Sequence, residues 1–341
     1  MSIVGIVANP ASGKDIRRLV AHGSVFDNNE KSNILQRILL ALDALGVDQV
    51  CIMPDYYGLG EQALEGLKLS LKATILDMPT LGSEADSTAA GERFQELGAG
   101  SLIVLGGDGT NRAVAKGCGA IPMVSISTGT NNVFSNMIEG TVAGMAAGLI
   151  ARGLVDVRQV TYPAKRMDVY VNGEWVDMAL VDVVGCSDLW IGSRAIWHPD
   201  HIKEMVLAQA RPGSIGISAI GASLQPVDVQ DRHGLYVAVG QGLTRVLAPI
   251  APGLVTKVDI REVRTLEIGA EIVLSPDTHT IALDGERSIE IYPDQTASIR
   301  LTDQGLVATE VMPGIDPHRD IVDASRGRVS LAPDATTLPA S

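Results

Sequence analysis

Short apolar runs alternate with helical patterns along the first 150 residues of the chain. Ile3–Ala8 and Ser101–Leu105 have the length and apolarity of buried strands, whereas Ile34–Leu45 repeats apolar residues at helical spacing and ends at Gly46. The same reading predicts further strands at 49–53, 74–78 and 123–126, and further helices at 83–97 and about 132–151. Strands that alternate with helices imply a parallel sheet with helices on its faces. An α/β domain is therefore predicted over residues 1–152.

After residue 152 the pattern changes to short Val- and Ile-rich runs between turn residues. Asn172-Gly173 stands between two such runs, 168–171 and 174–184, and is the strongest short signal for a β-hairpin. Further strands are predicted at 214–220, 235–239, 255–263, 271–274, 280–283, 289–292, 297–301 and 306–311, and one helix at 197–210. The pattern predicts an antiparallel β-sandwich domain over residues 153–312. The polar stretch 313–341 is expected to be a tail that packs loosely or folds back onto the first domain.

Composition and charge narrow the class of protein. Of the 341 residues, 46% are hydrophobic and 20% charged, which excludes an intrinsically disordered chain. There are 27 basic and 40 acidic residues, a net charge of −13, and a protein that grips a nucleic-acid backbone or an anionic membrane needs the opposite balance. Three widely spaced cysteines form neither a disulfide framework nor a zinc cluster. Since no apolar stretch reaches the roughly 20 residues of a membrane helix, a cytoplasmic protein is expected.

The segment with the clearest chemistry is Gly106-Gly107-Asp108-Gly109-Thr110, between a predicted strand and a predicted helix. Glycines at a helix N-terminus leave backbone N–H groups accessible, and such N–H groups bind phosphate. The Asp108 carboxylate repels phosphate, so it needs another task, such as taking a proton or holding Mg²⁺. The alternative is a glycine-rich turn in which Asp108 only caps the helix. Neither the Walker A pattern nor the dinucleotide fingerprint occurs in the chain.

Two further polar loops are expected at the same edge of the sheet, because each follows a predicted parallel strand. The first supplies Asn9, Ser12, Gly13 and Lys14. The second supplies Gly129, Thr130, Asn131 and Asn132 and is expected to open a helix. Either loop alone is weak evidence, because such residues are common in turns. Three polar or glycine-rich loops at one edge predict a site for a phosphorylated ligand.

These loops also carry a family resemblance. Asn-Pro-x-Ser-Gly at 9–13, Gly-Gly-Asp-Gly-Thr at 106–110 and Gly-Thr-x-Asn at 129–132 resemble the motif set of the NAD kinase and diacylglycerol kinase superfamily. Segments 212–219, 247–252 and 283–286 are similar to later motifs of the same superfamily, and the order holds over about residues 1–310. Within the superfamily, the chain looks most like the branch linked to acetoin catabolism.

The resemblance implies an ATP-dependent phosphotransfer to a hydroxyl, with the nucleotide bound between two domains. Asp108 would be the general base, and Mg²⁺ the accompanying cation. The phosphates would be held by Gly106, Gly107, Gly109 and Thr110, the nucleotide by Asn132, and the metal or a water near Asp284 and Glu286. Members of the superfamily commonly form dimers or tetramers through the second domain, so a homo-oligomer is expected.

Two departures from the family pattern leave the phosphate acceptor open. NAD kinases carry an Asn-Glu or Asn-Asp pair that reads the dinucleotide, whereas the corresponding residues here are Val181 and Asp182, so that only Asp182 carries over. A pocket tyrosine of the family is replaced by Ile217. The main hypothesis is a kinase for a nucleotide or a small metabolite. The alternatives are a catalytically degenerate nucleotide-binding or regulatory protein and a lipid kinase.

Overall fold

The computed structural model describes residues 1–14, 26–129, 132–189 and 199–309. Predictions for Thr130, Asn131 and the tail at 313–341 therefore lie outside the described residues. The helices are α1 (Asn28–Ala44), α2 (Leu59–Leu64), α3 (Glu84–Glu96), α4 (Asp108–Gly117), α5 (Gly140–Ala151), α6 (Val157–Val160) and α7 (Ser218–Ala222). The strands are β1 (Ile3–Ala8), β2 (Gln49–Ile52), β3 (Lys72–Ile75), β4 (Ser101–Gly106), β5 (Met123–Ser127), β6 (Thr161–Pro163), β7 (Arg166–Val171), β8 (Glu174–Ala179), β9 (Asp182–Cys186), β10 (Ile202–Leu207), β11 (His233–Ala251), β12 (Leu254–Glu267), β13 (Glu271–Val273), β14 (Thr280–Leu283), β15 (Glu286–Glu290), β16 (Ala297–Thr302) and β17 (Val307–Thr309). None of these helices is both long and apolar enough to cross a membrane.

A predominantly parallel sheet forms the first domain, with strand order β3-β2-β1-β4-β5-β17-β6 in the described residues. β1 and β4 are buried along their whole length because helices cover both faces of the sheet. On one face α1 and α5 pack closely, and a Cβ at Gly144 would lie 2.8 Å from the Ile38 carbonyl oxygen. On the other face Phe94 of α3 and Val114 of α4 are fully buried. The predicted α/β domain is confirmed.

The first sheet also takes two strands from beyond residue 152. β17 pairs in parallel with β5 and antiparallel with β6. Its neighbour Leu306 and its own Ala308 are buried in the hydrophobic core of the first domain. Of the strand expected at 306–311 the structure describes β17 over 307–309, which completes the first sheet instead of the sandwich.

Two antiparallel sheets form the second domain, with orders β12-β11-β10-β9-β14-β15 and β13-β16-β7-β8 in the described ranges. Their facing sides share one core, in which Val169 and Ile299 of the second of these sheets meet Val206 and Ile281 of the first. This arrangement confirms the predicted β-sandwich. The hairpin at Asn172-Gly173 is also confirmed, because Val171 pairs with Glu174 and both turn residues have positive φ, 52° and 83°.

Four local predictions are wrong, each for a physical reason. In the described part of the helix expected at 197–210 the structure has strand β10 over 202–207, since the short apolar run 205–207 is buried on both faces and has no diagnostic period. The strand expected at 214–220 gives way to helix α7, whose residues are all small except Ile220. The run 174–184 divides between two sheets at Leu180-Val181. The helix expected from about 132 begins only at Gly140, where the Glu139 carboxylate accepts hydrogen bonds from the N–H groups of Thr141 and Val142.

Candidate active site

A cavity of about 310 Å³ lies at the carboxyl ends of β1, β2 and β4. β1 and β4 are the neighbours at which the strand order 3-2-1-4-5 reverses, the position at which open α/β sheets bind their ligands. The second domain closes the cavity with the turn between β14 and β15. The predicted site residues that line it are Asn9, Ser12, Gly13, Gly107, Asp108, Gly109, Thr110, Gly129, Asn132, Asp284 and Glu286. The fold thus brings together residues that the sequence separates by up to 277 positions, from Asn9 to Glu286.

Asp108 is the first residue of α4, and its carboxylate is buried against the chain that follows β5. Oδ2 accepts a hydrogen bond from the Val133 N–H at 2.8 Å. Oδ1 accepts from the N–H groups of Phe134 at 3.1 Å and Ser135 at 3.2 Å. The carboxylate therefore fixes the irregular segment that replaces the first turns of the expected helix.

Burial, and after it the negative charge of Asp284, raise the pKa of the Asp108 carboxyl to about 7. The three backbone donors act in the opposite direction, since they stabilise the charged form. The outcome is a carboxyl group that exchanges its proton near neutral pH. A general base needs such a pKa, whereas a residue that only caps a helix does not.

The glycines around Asp108 have distinct steric roles. A Cβ at Gly106 would lie 2.4 Å from the Thr110 Cβ, so only glycine fits at the end of β4. A Cβ at Gly109 would meet no heavy atom of the described residues within 4 Å, and this residue lines the open cavity. The N-cap of α4 is Gly107, which supplies no capping side chain. No N-cap side chain therefore occupies the N–H groups at the N-terminus of α4, and the nearest side chain to Gly107 is that of Asn132.

Hydrogen bonds join the loop after β1 to the loops after β4 and β5. Asn9 Nδ2 donates to Thr110 Oγ1 at 2.8 Å, and Asn9 Oδ1 accepts from the Ala11 N–H at 2.8 Å. The Ser12 and Thr128 hydroxyls are 2.7 Å apart. Gly13 has φ 71°, and a Cβ there would lie 2.6 Å from the Thr128 carbonyl oxygen. The Asn-Pro-x-Ser-Gly motif is thus a rigid wall of the cavity, which explains why it needs these residue types.

Lys31 on α1 supports the Asn-Pro-x-Ser-Gly loop through hydrogen bonds to its backbone. The sequence analysis did not identify this residue. Its side chain is fully buried, and Nζ donates to the carbonyl oxygens of Asn9 at 2.9 Å, Pro10 at 3.2 Å and Ser12 at 2.9 Å. A buried ammonium needs such partners. The available signal was its spacing, because Lys31 lies on the same face of α1 as the buried Leu35, four residues later.

Asp284 approaches the cavity from the second domain. It occupies the first position of a two-residue turn with φ 51°, and Gly285 follows with φ 79°. Asp284 Oδ1 accepts from the N–H groups of Leu180 at 2.9 Å and Val181 at 2.8 Å, where the chain crosses between the two sheets. Burial raises the pKa of the Asp284 carboxyl. Its buried Oδ2 has no hydrogen-bond partner in the described residues.

The donors near this turn fit a magnesium ion that arrives with a nucleotide. Mg²⁺ is usually held by one or two carboxylates together with phosphate oxygens of the substrate. Asp284 offers an unpartnered carboxylate oxygen, and Glu286 also lines the cavity. Among the described residues there is no cluster of three or more His, Cys, Asp or Glu side chains that could hold a metal by itself.

Arg112 connects the two domains and was also missed. It lies one helical turn after Asp108, is only 3% exposed, and lines the cavity. Nη1 donates to the Leu283 carbonyl oxygen at 3.1 Å, and Nη2 donates to Glu84 Oε2 at 3.2 Å. Its positive charge opposes the effect of burial on Asp284. Arg112 therefore holds the Asp284 turn beside α4.

Arg112→Leu is expected to lower the free energy of unfolding by about 2–3 kcal/mol, because the Leu283 carbonyl and the Asp284 carboxylate lose a buried donor and a counter-charge. Urea denaturation measures the change. Arg93→Leu is the matched control, since Arg93 pairs with Glu96 on the exposed face of α3 and should cost less than about 1 kcal/mol. Equal costs for the two variants would contradict the role given to Arg112.

Among the predicted site residues that the structure describes, Lys14, Gly106 and Asp182 do not line the cavity. The Lys14 ammonium is 5.5 Å from the centre of the Tyr57 ring, and Lys14 is exposed. Asp182 is buried, and its Oδ1 accepts a hydrogen bond from the Gly285 N–H at 3.0 Å, so it supports the Asp284 turn. Gly106 packs against Thr110. Asn132 does line the cavity, and its Nδ2 donates to Ser127 Oγ at 2.7 Å.

Comparison with known proteins agrees with this geometry. Residues 4–154 match the ATP-NAD kinase N-terminal domain, and residues 165–304 match the acetoin catabolism protein X C-terminal domain. Acetoin catabolism protein X of Cupriavidus necator is 37% identical over 323 residues, which cover 91% of this chain and 90% of that protein. The crystal structure of yeast NADH kinase complexed with NADH superimposes with a TM-score of 0.54 at 14% identity, covering 98% of this chain and 90% of that one. At that identity the likeness shows a common fold.

Proposed function

This chain belongs to the family of acetoin catabolism protein X, and we propose that it is an ATP-dependent kinase that phosphorylates a hydroxyl group of a nucleotide or small metabolite in acetoin catabolism. One observation carries the proposal. A buried carboxyl group, Asp108, has a pKa raised to about 7 and lines a cavity at a helix N-terminus whose N-cap is a glycine. Phosphoryl transfer needs aligned reactants and neutralised charge more than covalent help, so this set of groups is sufficient.

In the proposed reaction the phosphates of ATP lie against the N-terminus of α4 and the loop after β1. The acceptor hydroxyl oxygen forms a bond to the γ-phosphorus, the bond from that phosphorus to the β,γ-bridging oxygen breaks, and ADP leaves. Asp108 Oδ2 has one N–H donor, from Val133, so it retains a lone pair that takes the hydroxyl proton. Mg²⁺, held by Asp284 or Glu286 together with phosphate oxygens, would neutralise the phosphate charge.

A second candidate function keeps the nucleotide and omits the reaction. Val181 and Ile217 have apolar side chains, and each is buried in a hydrophobic core, Val181 in that of the first domain and Ile217 in that of the second. Neither can therefore form a side-chain hydrogen bond with a dinucleotide. Asp182 corresponds to the acidic residue of the pair that binds the dinucleotide in NAD kinases, but here its carboxylate accepts a hydrogen bond from the Gly285 N–H group. These observations argue against NAD as the acceptor and favour, as the alternative, a nucleotide-binding or regulatory protein of the acetoin pathway.

The test is ADP release from MgATP with a panel of hydroxyl acceptors that includes NAD, short diols and hydroxyketones. Acceptor-dependent ADP release, with a phosphorylated product identified by mass spectrometry, would support the kinase. A nucleotide-dependent rise in melting temperature without ADP release for any acceptor would favour the binding protein. If ATP neither binds nor reacts, both candidates are wrong.

The pH dependence of turnover gives a separate prediction. Because Asp108 accepts a proton only when ionised, kcat/KM should rise about tenfold per pH unit below pH 7 and level off above it. In Asp284→Asn the midpoint should move to lower pH, since the Asp284 charge is one cause of the raised pKa of Asp108. Initial rates between pH 5.5 and 8.5 measure both profiles. A flat wild-type profile would remove Asp108 from the proton transfer.

A further inference from the structure

We propose that Asp55 and Tyr56 form the nucleoside subsite of the cavity, in which the ribose hydroxyls donate to the Asp55 carboxylate and the base stacks on the Tyr56 ring. Both residues belong to the loop after β2 and line the cavity. The inference rests on the proposed function, because it gives the orientation of the nucleotide bound there.

Strand order sets the distance between the two ends of the nucleotide. The cradle of glycines follows β4, the Asn-Pro-x-Ser-Gly loop follows β1, and the Asp55–Tyr56 loop follows β2, so the loops lie side by side along one sheet edge. Two strand spacings amount to about 10 Å, a gap that a triphosphate chain can cross. In dinucleotide-binding folds of the order 3-2-1-4-5-6 an acidic residue binds the ribose hydroxyls, and Asp55, in the loop after β2, is the acidic residue available for this task here.

The Asp55 carboxylate has a fixed orientation. Its Oδ1 accepts from the Tyr57 N–H at 2.8 Å, and its Oδ2 accepts from the Leu59 N–H at 3.0 Å. A carboxylate oxygen has two lone pairs, so both oxygens can accept a further hydrogen bond from a hydroxyl. The residue is half-buried, which leaves it accessible from the cavity.

Tyr56 offers a flat apolar surface at the mouth of the cavity. Its side chain is 63% exposed, and a Cβ at Gly82 would lie 3.8 Å from its ring. The adjacent Tyr57 is 47% exposed but does not line the cavity. The face of its ring is in contact with the Lys14 ammonium group instead. Stacking on a tyrosine accepts any base, because every base has a π-face.

Charge fixes the direction in which the nucleotide binds. Near the loop after β2 the cavity is lined by Asp55 and by Asp86, whose Oδ2 accepts from the N–H group of Gly82 beside the Tyr56 ring. These carboxylates disfavour phosphate, whereas at the other end the N-terminus of α4 favours it and the proposed Mg²⁺ would offset the charges of Asp284 and Glu286. The uncharged nucleoside half therefore belongs beside β2, and the γ-phosphate beside Asp108.

Binding of MgATP, Mg-2′-deoxy-ATP and magnesium tripolyphosphate, measured by isothermal titration calorimetry on the full chain, tests this subsite. Tyr56→Ala should weaken MgATP binding roughly 5- to 150-fold, the range expected for loss of one stacked base, and leave tripolyphosphate binding unchanged. Tyr56→Phe should bind MgATP as the wild type does. Tyr57→Ala is the matched control and should also bind normally. Asp55→Asn should reduce the preference for ATP over 2′-deoxy-ATP.

The outcomes separate the subsite from the proposed function. If the wild type binds ATP and tripolyphosphate equally, or if Tyr56→Ala and Asp55→Asn bind all three ligands as the wild type does, the subsite is wrong while nucleotide binding stands. If Tyr57→Ala weakens ATP as much as Tyr56→Ala, the base does not stack on Tyr56. If the wild type binds none of the three ligands, the proposed function and the subsite both fail.

Discussion

Asp108→Asn is expected to lower the rate of acceptor-dependent ADP release by a factor of roughly 10²–10⁴, the usual contribution of a positioned general base. The asparagine side chain cannot take the hydroxyl proton at neutral pH. The affinity of the Asp108→Asn protein for MgATP should remain within a few-fold of the wild-type affinity. The reason is that Asp108 lies among the proposed phosphate-binding elements but does not itself attract phosphate. Steady-state rates and calorimetric affinities, measured together on the same preparations, separate these two effects.

A matched control is needed because the Asp108 carboxylate also fixes backbone. In Asp108→Asn the amide nitrogen replaces an oxygen that accepts from Val133 or from Phe134 and Ser135, at a cost of about 1–3 kcal/mol of folding stability. Asp86 is equally buried, lines the same cavity and accepts from the Leu81 and Gly82 N–H groups.

Asp86→Asn should therefore lose comparable stability and keep turnover within roughly tenfold. If Asp86→Asn and Asp108→Asn lose turnover equally, the loss in Asp108→Asn comes from the disturbed backbone. The kinase mechanism would then need another base.

The sequence was sufficient to predict the architecture and the meeting of the three polar loops at one edge of the sheet. Buried strands such as β1 and β4 are uninterrupted apolar runs, and the loops that follow them are polar or glycine-rich, so their common position at one sheet edge followed from parallel topology. The Asn172-Gly173 turn was visible because this dipeptide favours two residues with positive φ.

The errors arose where tertiary contacts decide local structure. The segment after Asn132 has the composition of a helix start, but the Asp108 carboxylate holds residues 133–135 in an irregular conformation, and no local pattern records a contact across 25 positions. β10 is another case, since Val206 on one face and Met205 and Leu207 on the other are buried in two different hydrophobic cores. Local propensity is a weak guide when burial on both faces removes the polar half of a pattern.

The residues that sequence analysis missed are charged groups that act on backbone. Arg112 donates to the Leu283 carbonyl across the domain boundary, and Lys31 donates to three carbonyls of one loop. A carbonyl oxygen is present at every position, so nothing in the sequence marks which ones need a cation. In both cases the observation that a charge falls on a buried helix face was the only signal.

Lys31→Met is expected to lower the free energy of unfolding by about 3–5 kcal/mol, the second large effect. Methionine fills a similar volume but leaves the carbonyl oxygens of Asn9, Pro10 and Ser12 without their buried donor, and each such loss costs about 1–3 kcal/mol before the loop relaxes. Urea denaturation at pH 7 measures the change. Lys68→Met, at an exposed position, should stay within about 0.5 kcal/mol.

Relaxation of this loop should also be visible in ligand binding. The Asn9–Gly13 loop joins Thr110 and Thr128, so its release disturbs two walls of the phosphate site at once. Magnesium tripolyphosphate, which probes that site without a nucleoside, should bind Lys31→Met at least tenfold more weakly than it binds the wild type or Lys68→Met. A folded Lys31→Met protein with wild-type stability would show that the buried ammonium is merely tolerated. If stability falls but tripolyphosphate binding is unchanged, Lys31 supports the fold and the loop after β1 does not hold phosphate.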